Sequence, residues 1–175
     1  MRALFCAVLA AAVTAALNAA PGAPVPGTAA PRGKVLYLYD EENDQSAPYI
    51  RHFREILAAA GIPFDEAVAA DLEPKSLSPY RLIVVHGMVM AFNAKSPIRD
   101  WLKTGPDLRG KEVSLFVTAN RWFLKDLFGQ LGRLFKASGA VVVDAVSMAT
   151  KDTDEAAERE AIKAQIAKLK WSSRP

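Results

Sequence analysis

Three short segments constrain this chain more than any other feature. Val35-Leu36-Tyr37-Leu38-Tyr39, Leu82-Ile83-Val84-Val85 after Arg81, and Val113 to Val117 are nearly unbroken runs of apolar, β-favouring residues. A strand with one wet face alternates apolar and polar residues. A continuous run must be covered on both faces, which is the signature of a parallel sheet between helical layers. Two weaker strands complete the set: Ile62 to Val68, where Pro63 suggests an edge or a strand start, and Ala140 to Val146.

Helical spacing fills the gaps. Ser46 and Pro48 open a helix bearing Ile50, Phe53, Ile56, Leu57 and Ala60, and Gly61 is placed to stop it. Ser96-Pro97 opens a second helix through Trp101 and Leu102, ended by Gly105-Pro106. Asn120 is the expected cap of a third, carrying Phe123, Leu124, Leu127, Phe128, Leu131, Leu134 and Phe135. Asp152 with Glu155 reads as a capping box for a last helix using Ile162, Ile166 and Leu169. Alternating strands and helices with five strands suit an open doubly wound sheet and are too few for a barrel. Ligands of such folds sit at the carboxyl ends of the strands, so the residues after Tyr39, Val85 and Val117 are the informative ones.

Residues 1–20 read as a Sec-type signal: Arg2 is the positive start, Ala3 to Leu17 the apolar core, and Leu17-Asn18-Ala19-Ala20 a small-residue cleavage site. An uncleaved N-terminal anchor is the alternative. Residues 21–32 form a Pro/Gly/Ala linker, residues 33–171 the folded domain and residues 172–175 a tail. The chain is therefore expected to be periplasmic or secreted, with no membrane span once the leader is removed. The single cysteine, Cys6, lies in the leader, so the mature chain would have no disulfide, thiolate metal site or thiol nucleophile. The 22 basic and 19 acidic residues are spread out without a basic block, which argues against nucleic acid as a partner.

The segment from Ser78 to Val117 resembles the flavodoxin family. Pro79-Tyr80-Arg81-Leu82-Ile83-Val84-Val85 is similar to its Y-D-L-I-V third strand, and Gly87-Met88-Val89-Met90 stands where the family has a G-[ST]-P-V-Y loop. Ser96-Pro97-Ile98-Arg99-Asp100-Trp101-Leu102 resembles its P-P-hydrophobic-R-x-F-L helix start, and Leu108-Arg109-Gly110-Lys111 with Val113 to Thr118 its fourth strand. The resemblance implies a three-layer α/β fold around a five-stranded parallel sheet of order 2-1-3-4-5. It also points to Ser46, Met88, Val89, Met90, Phe92, Thr118, Asn120 and Trp122 as residues placed where the family binds FMN.

The departure falls on the phosphate loop. Flavodoxins follow their first strand with a loop like [ST]-x-T-G-N-T, whose hydroxyls and amides hold the FMN phosphate. Here the segment is Asp40-Glu41-Glu42-Asn43-Asp44-Gln45-Ser46, with four carboxylates, no glycine and one hydroxyl. Carboxylates repel a phosphate and the missing glycine removes the tight backbone wrap. The leading expectation is a domain that binds a small ligand or a protein partner at the strand tips without the usual FMN site. An FMN-dependent electron-transfer or quinone-reducing protein and a pure interaction module are the alternatives. Crowded carboxylates also suggest a divalent-cation site at Asp40 and Glu41, with Asn43 and His86 as further ligands, against the simpler expectation of a solvated turn. A receiver-type phosphoacceptor is excluded, because His86 stands where the acceptor Asp would be.

Overall fold

The computed structural model describes residues 34–73, 77–119, 122–150 and 153–169. Five parallel strands, β1 (Val35–Tyr39), β2 (Phe64–Val68), β3 (Leu82–Met88), β4 (Glu112–Ala119) and β5 (Val141–Ala149), form one sheet in the order β2-β1-β3-β4-β5. This is the architecture and strand order expected. The three apolar runs occupy the three central strands, where every residue from Val35 to Tyr39 and from Leu82 to Met88 is buried.

Four helices cover the sheet: α1 (Ala47–Ala59), α2 (Pro97–Lys103), α3 (Leu124–Ala137) and α4 (Glu155–Lys168). Strand residues alternate between two cores because the side-chain period is two. Val35, Tyr37, Leu82, Val84 and Phe116 face α1 and α4, packing on Tyr49, Ile50, Phe53, Ile162 and Ile166. Leu36, Leu38, Ile83, Val85, Leu115 and Val117 face α2 and α3, packing on Ile98, Trp101, Leu127, Leu131 and Phe135. Gly87 of β3 sits under α3. A Cβ there would lie 2.7 Å from Leu131 Cδ1, so any larger residue would require the Leu131 side chain to shift.

No α-helix joins β2 to β3 among the described residues. The crossover contains a 3₁₀ turn (Ala69–Asp71) and is pinned from outside. Lys111 Nζ donates to the carbonyls of Leu77 (3.0 Å) and Tyr80 (2.7 Å), giving the lysine of the Leu-x-Gly-Lys segment a structural task. The outer strands carry the polar positions. On β2, Glu66 takes two bonds from Arg54 Nε at 2.9 Å, and Asp65 pairs with Lys34 at 3.0 Å. On β5 the register slips between Val113 and Ser114, leaving Val143 as an extra residue and partly exposed.

Helix starts differ from expectation in three places. Ser46 precedes α1 but makes no side-chain cap, because its hydroxyl turns back into the preceding loop. α4 is capped by Asp154, which accepts from Ala157 N at 2.8 Å; Asp152 lies outside the described residues. α3 begins at Leu124 after an uncapped Phe123, and Asn120 lies outside the described residues. Gly61 does end α1, at φ +64°. His52, which helical spacing puts on a polar face, is buried between α1 and α4 instead, 3.4 Å from Arg159 and 3.6 Å from Glu155. No helix among the described residues is long and apolar enough to cross a membrane, and the leader, linker and tail lie outside them.

Candidate functional site

The β1 tip turns inward at Asp40. Only 1% of the residue is exposed. Its Oδ2 accepts from Met88 N at 2.8 Å, and its Oδ1 from Ile98 N at 2.8 Å and Ser96 Oγ at 3.3 Å. One carboxylate therefore ties the first strand to the end of β3 and to the start of α2. Burial pushes its pKa up to about 6, although all three donors favour the charged form.

Position along the strand separates Asp40 from His86. Tyr39 and His86 are register partners and share a sheet face, so Asp40 points to the other face. The His86 ring packs among Tyr49, Phe53 and Phe116, and its Nε2 lies 3.0 Å from Thr118 Oγ1. Burial holds its pKa down to about 3, so it is neutral. The proposed cation ligands are thus dispersed: Asp40 is inside, Glu41 pairs with Lys95, and His86 is across the sheet. No group of three or more His, Cys, Asp or Glu side chains among the described residues is placed to hold a metal.

The loop from Glu41 to Ser46 is closed by its own side chains. Asn43 Oδ1 accepts from Gln45 N at 2.9 Å and Ser46 N at 3.0 Å. Ser46 Oγ accepts from Asn43 N at 2.9 Å and donates to Glu41 O at 2.8 Å. Asn43 Nδ2 donates to Glu41 Oε1 at 3.2 Å. Three amides and the loop's one hydroxyl, the groups an anion would need, are already engaged.

The β3 and β4 tips behave differently. Ala91, Phe92 and Asn93 all have positive φ (46°, 54° and 68°), a left-handed turn built without glycine. Arg99 Nη1 holds this turn through Asn93 O (3.0 Å), Asn93 Oδ1 (3.1 Å) and Gln130 Oε1 (3.0 Å). The turn lifts Phe92 into solvent, 85% exposed, with its ring edge-to-face to Phe123 at 5.9 Å. Trp122, next to Phe123 in the chain, is 84% exposed.

Between these tips and the starts of α1 and α4 lies an open cleft of about 530 Å³. Met88, Val89 and Phe92 line it, joined by Tyr49, Phe123 and Glu158. Of the other residues singled out from sequence, Ser46 and Thr118 are buried with their hydroxyls engaged nearby. Met90 is buried in a bridge to Lys95, Trp122 stands exposed next to the lining Phe123, and Asn120 is not described. The cleft residues missed from sequence are mainly Tyr49, Phe123 and Glu158. Tyr49 and Phe123 carried a signal as aromatics at helix starts. Glu158 carried none, since it reaches the cleft only because α4 packs on α1, where Tyr49 Oη donates to its Oε1 at 2.7 Å.

No protein-family model and no curated protein sequence matches the chain. Solved structures do. A Fusobacterium nucleatum flavodoxin bound to flavin mononucleotide matches over 80% of this chain and 98% of its own, at 11% identity and TM-score 0.65. Flavodoxin 2 of Bacillus cereus matches over 78% and 99%, at 15% identity and TM-score 0.62. A flavodoxin from the domain Archaea matches over 78% and 99%, at 13% identity and TM-score 0.57. At such identities the likeness defines an open, doubly wound α/β fold. It is the flavodoxin-like one, in a strongly diverged sequence.

Proposed function

We propose that this chain is an exported flavodoxin-like protein that binds a small ligand at the carboxyl edge of its sheet without using the phosphate site of FMN proteins. One observation carries the reading: Asn43 and Ser46 satisfy the amides and the hydroxyl of the β1–α1 loop internally, while an open cleft remains beside it. Binding a phosphate there would require breaking those bonds next to Glu41, Glu42 and Asp44. The export part rests on residues 1–20, which have the three-part pattern of a Sec signal.

A second reading, an FMN-dependent electron carrier, is favoured by the exposed Phe92 at the cleft and the exposed Trp122 next to the lining Phe123, where a flavin ring could stack, and by the FMN-bound state of one structural neighbour. Parallel titrations with FMN and riboflavin separate the two. If the loop is closed to phosphate, the two flavins bind equally, and FMN at least about a hundredfold more weakly than a hydroxyl-lined loop would hold it, roughly 3 kcal/mol. Submicromolar FMN binding with riboflavin far weaker would establish the electron carrier instead.

A further inference from the structure

The charge pattern of the cleft is the reverse of what an anionic ligand needs. Among the described residues that line it, Glu158 is the one charged side chain, and no Lys or Arg takes part. Its Oε1 accepts the 2.7 Å bond from the buried Tyr49, and no hydrogen bond reaches Oε2 from the described residues. Two described cations of α1 and α4 are committed elsewhere. Arg51 pairs with Glu155 at 2.6 Å, and Arg159 pairs with Glu55. Among the described residues, the Tyr49 phenol is the one side-chain partner of Glu158, which faces a cleft whose other described walls combine aromatic and aliphatic side chains with Gln45 and Thr150. Phe92 and Phe123 stand edge-to-face at 75°, so the two rings do not stack flat on each other, and Met88 also lines the cleft. A half-buried carboxylate beside aromatic rings attracts a cation twice, through its charge and through the negative ring faces.

We infer that the cleft takes a small organic cation with an apolar or aromatic body, its charge received by Glu158 and its body by Phe92, Phe123 and Met88. The inference rests on the reading that the strand tips hold a ligand without a phosphate site. A space of about 530 Å³ is of small-molecule size.

Three probes that share a phenyl body and differ in head-group charge test it on the purified chain by calorimetry: benzyltrimethylammonium, benzyl alcohol and phenyl phosphate. The cation is expected to bind at least about tenfold more tightly than the alcohol, the scale of one desolvated cation–π contact beside a carboxylate, and phenyl phosphate more weakly than both. Glu158→Gln should bring the cation and the alcohol together in affinity. The variant keeps an acceptor for Tyr49, so its thermal midpoint reports whether it is folded, and Phe123→Ala supplies an independent arm by weakening the cation in a chain with Glu158 intact. Equal affinity for cation and alcohol, a cation preference that survives Glu158→Gln, or no binding of any probe would each overturn the inference. None of those results touches the comparison of FMN with riboflavin. Phenyl phosphate binding tightest would overturn both readings.

Discussion

The two halves of the strand-tip edge are built on opposite plans. On the β1 side, Asp40 and the loop from Glu41 to Ser46 have turned their polar groups on one another: a buried carboxylate with three donors, and an asparagine that caps the amides around it. On the β3 and β4 side, a left-handed turn without glycine holds the Phe92 ring in water, and Trp122 after β4 is exposed as well. The first half is satisfied and has little left to offer a ligand. The second keeps strained backbone and wet aromatic surface, which persist only where the surrounding structure, here Arg99, enforces them. In a fold that places its ligands at this edge, the contrast shows which half is free to bind.

The largest expected effect concerns the buried charges behind that contrast. The pKa of Asp40 is raised from 3.8 to about 6, so between pH 6 and 4 the folded state holds a proton that the unfolded state lacks. Its ionised form costs stability, and that cost disappears as pH falls through the window. The pKa of His86 is lowered from 6.5 to about 3, so over the same range the unfolded state holds the extra proton and stability falls with pH. The two slopes oppose each other from pH 6 to 4. In Asp40→Asn only the His86 slope remains. Urea unfolding of both proteins should therefore show the variant losing roughly 2 kcal/mol relative to the native chain between pH 6 and pH 4. Parallel pH curves would mean that Asp40 is not the buried clamp of the β1 side.

A smaller effect is expected at the loop itself. Asn43→Ala removes the acceptor of two amides, which should lower stability by about 1 kcal/mol in denaturant titration. It should also open the loop enough for FMN to gain over riboflavin. Unchanged stability would place the closure of this loop in its backbone rather than in Asn43.

The smallest effect has the opposite sign. Phe92→Gly relieves a left-handed residue and loses little packing, so thermal unfolding should show a gain of about 0.5–1 kcal/mol, with weaker binding of benzyltrimethylammonium in the same variant. A loss of stability there would show that Phe92 is a structural residue, erasing the difference between the two halves.

Much of this was readable in the chain. The unbroken apolar runs of β1, β3 and β4 required a sheet covered on both faces, and Ser96, Pro97 and Gly61 marked helix ends that the structure keeps. Met88, Val89 and Phe92, which the family resemblance singled out at the end of β3 and just beyond it, do line the cleft. The inward turn of Asp40 was not read: the sequence put it with His86 at one site, and only the Tyr39–His86 register, with its period of two, shows that they face opposite sides of the sheet.

What composition and spacing alone determine here is the layering, because burial of both strand faces is a local property of each segment. What the tertiary structure decided is how the polar groups at the tips are spent. Four carboxylates in five residues looked like a crowded cluster, yet one is sealed inside, one pairs with Lys95, and Glu42 reaches Arg54 at 3.5 Å. Those partners lie on different elements, up to 58 residues away along the chain. Glu158 likewise reaches the cleft from α4, 109 residues beyond the Tyr49 that holds it. A hydrogen bond or ion pair is decided by which groups arrive within about 3 Å of each other, and for contacts this distant in sequence only the folded sheet, with its helices laid on both faces, sets that distance.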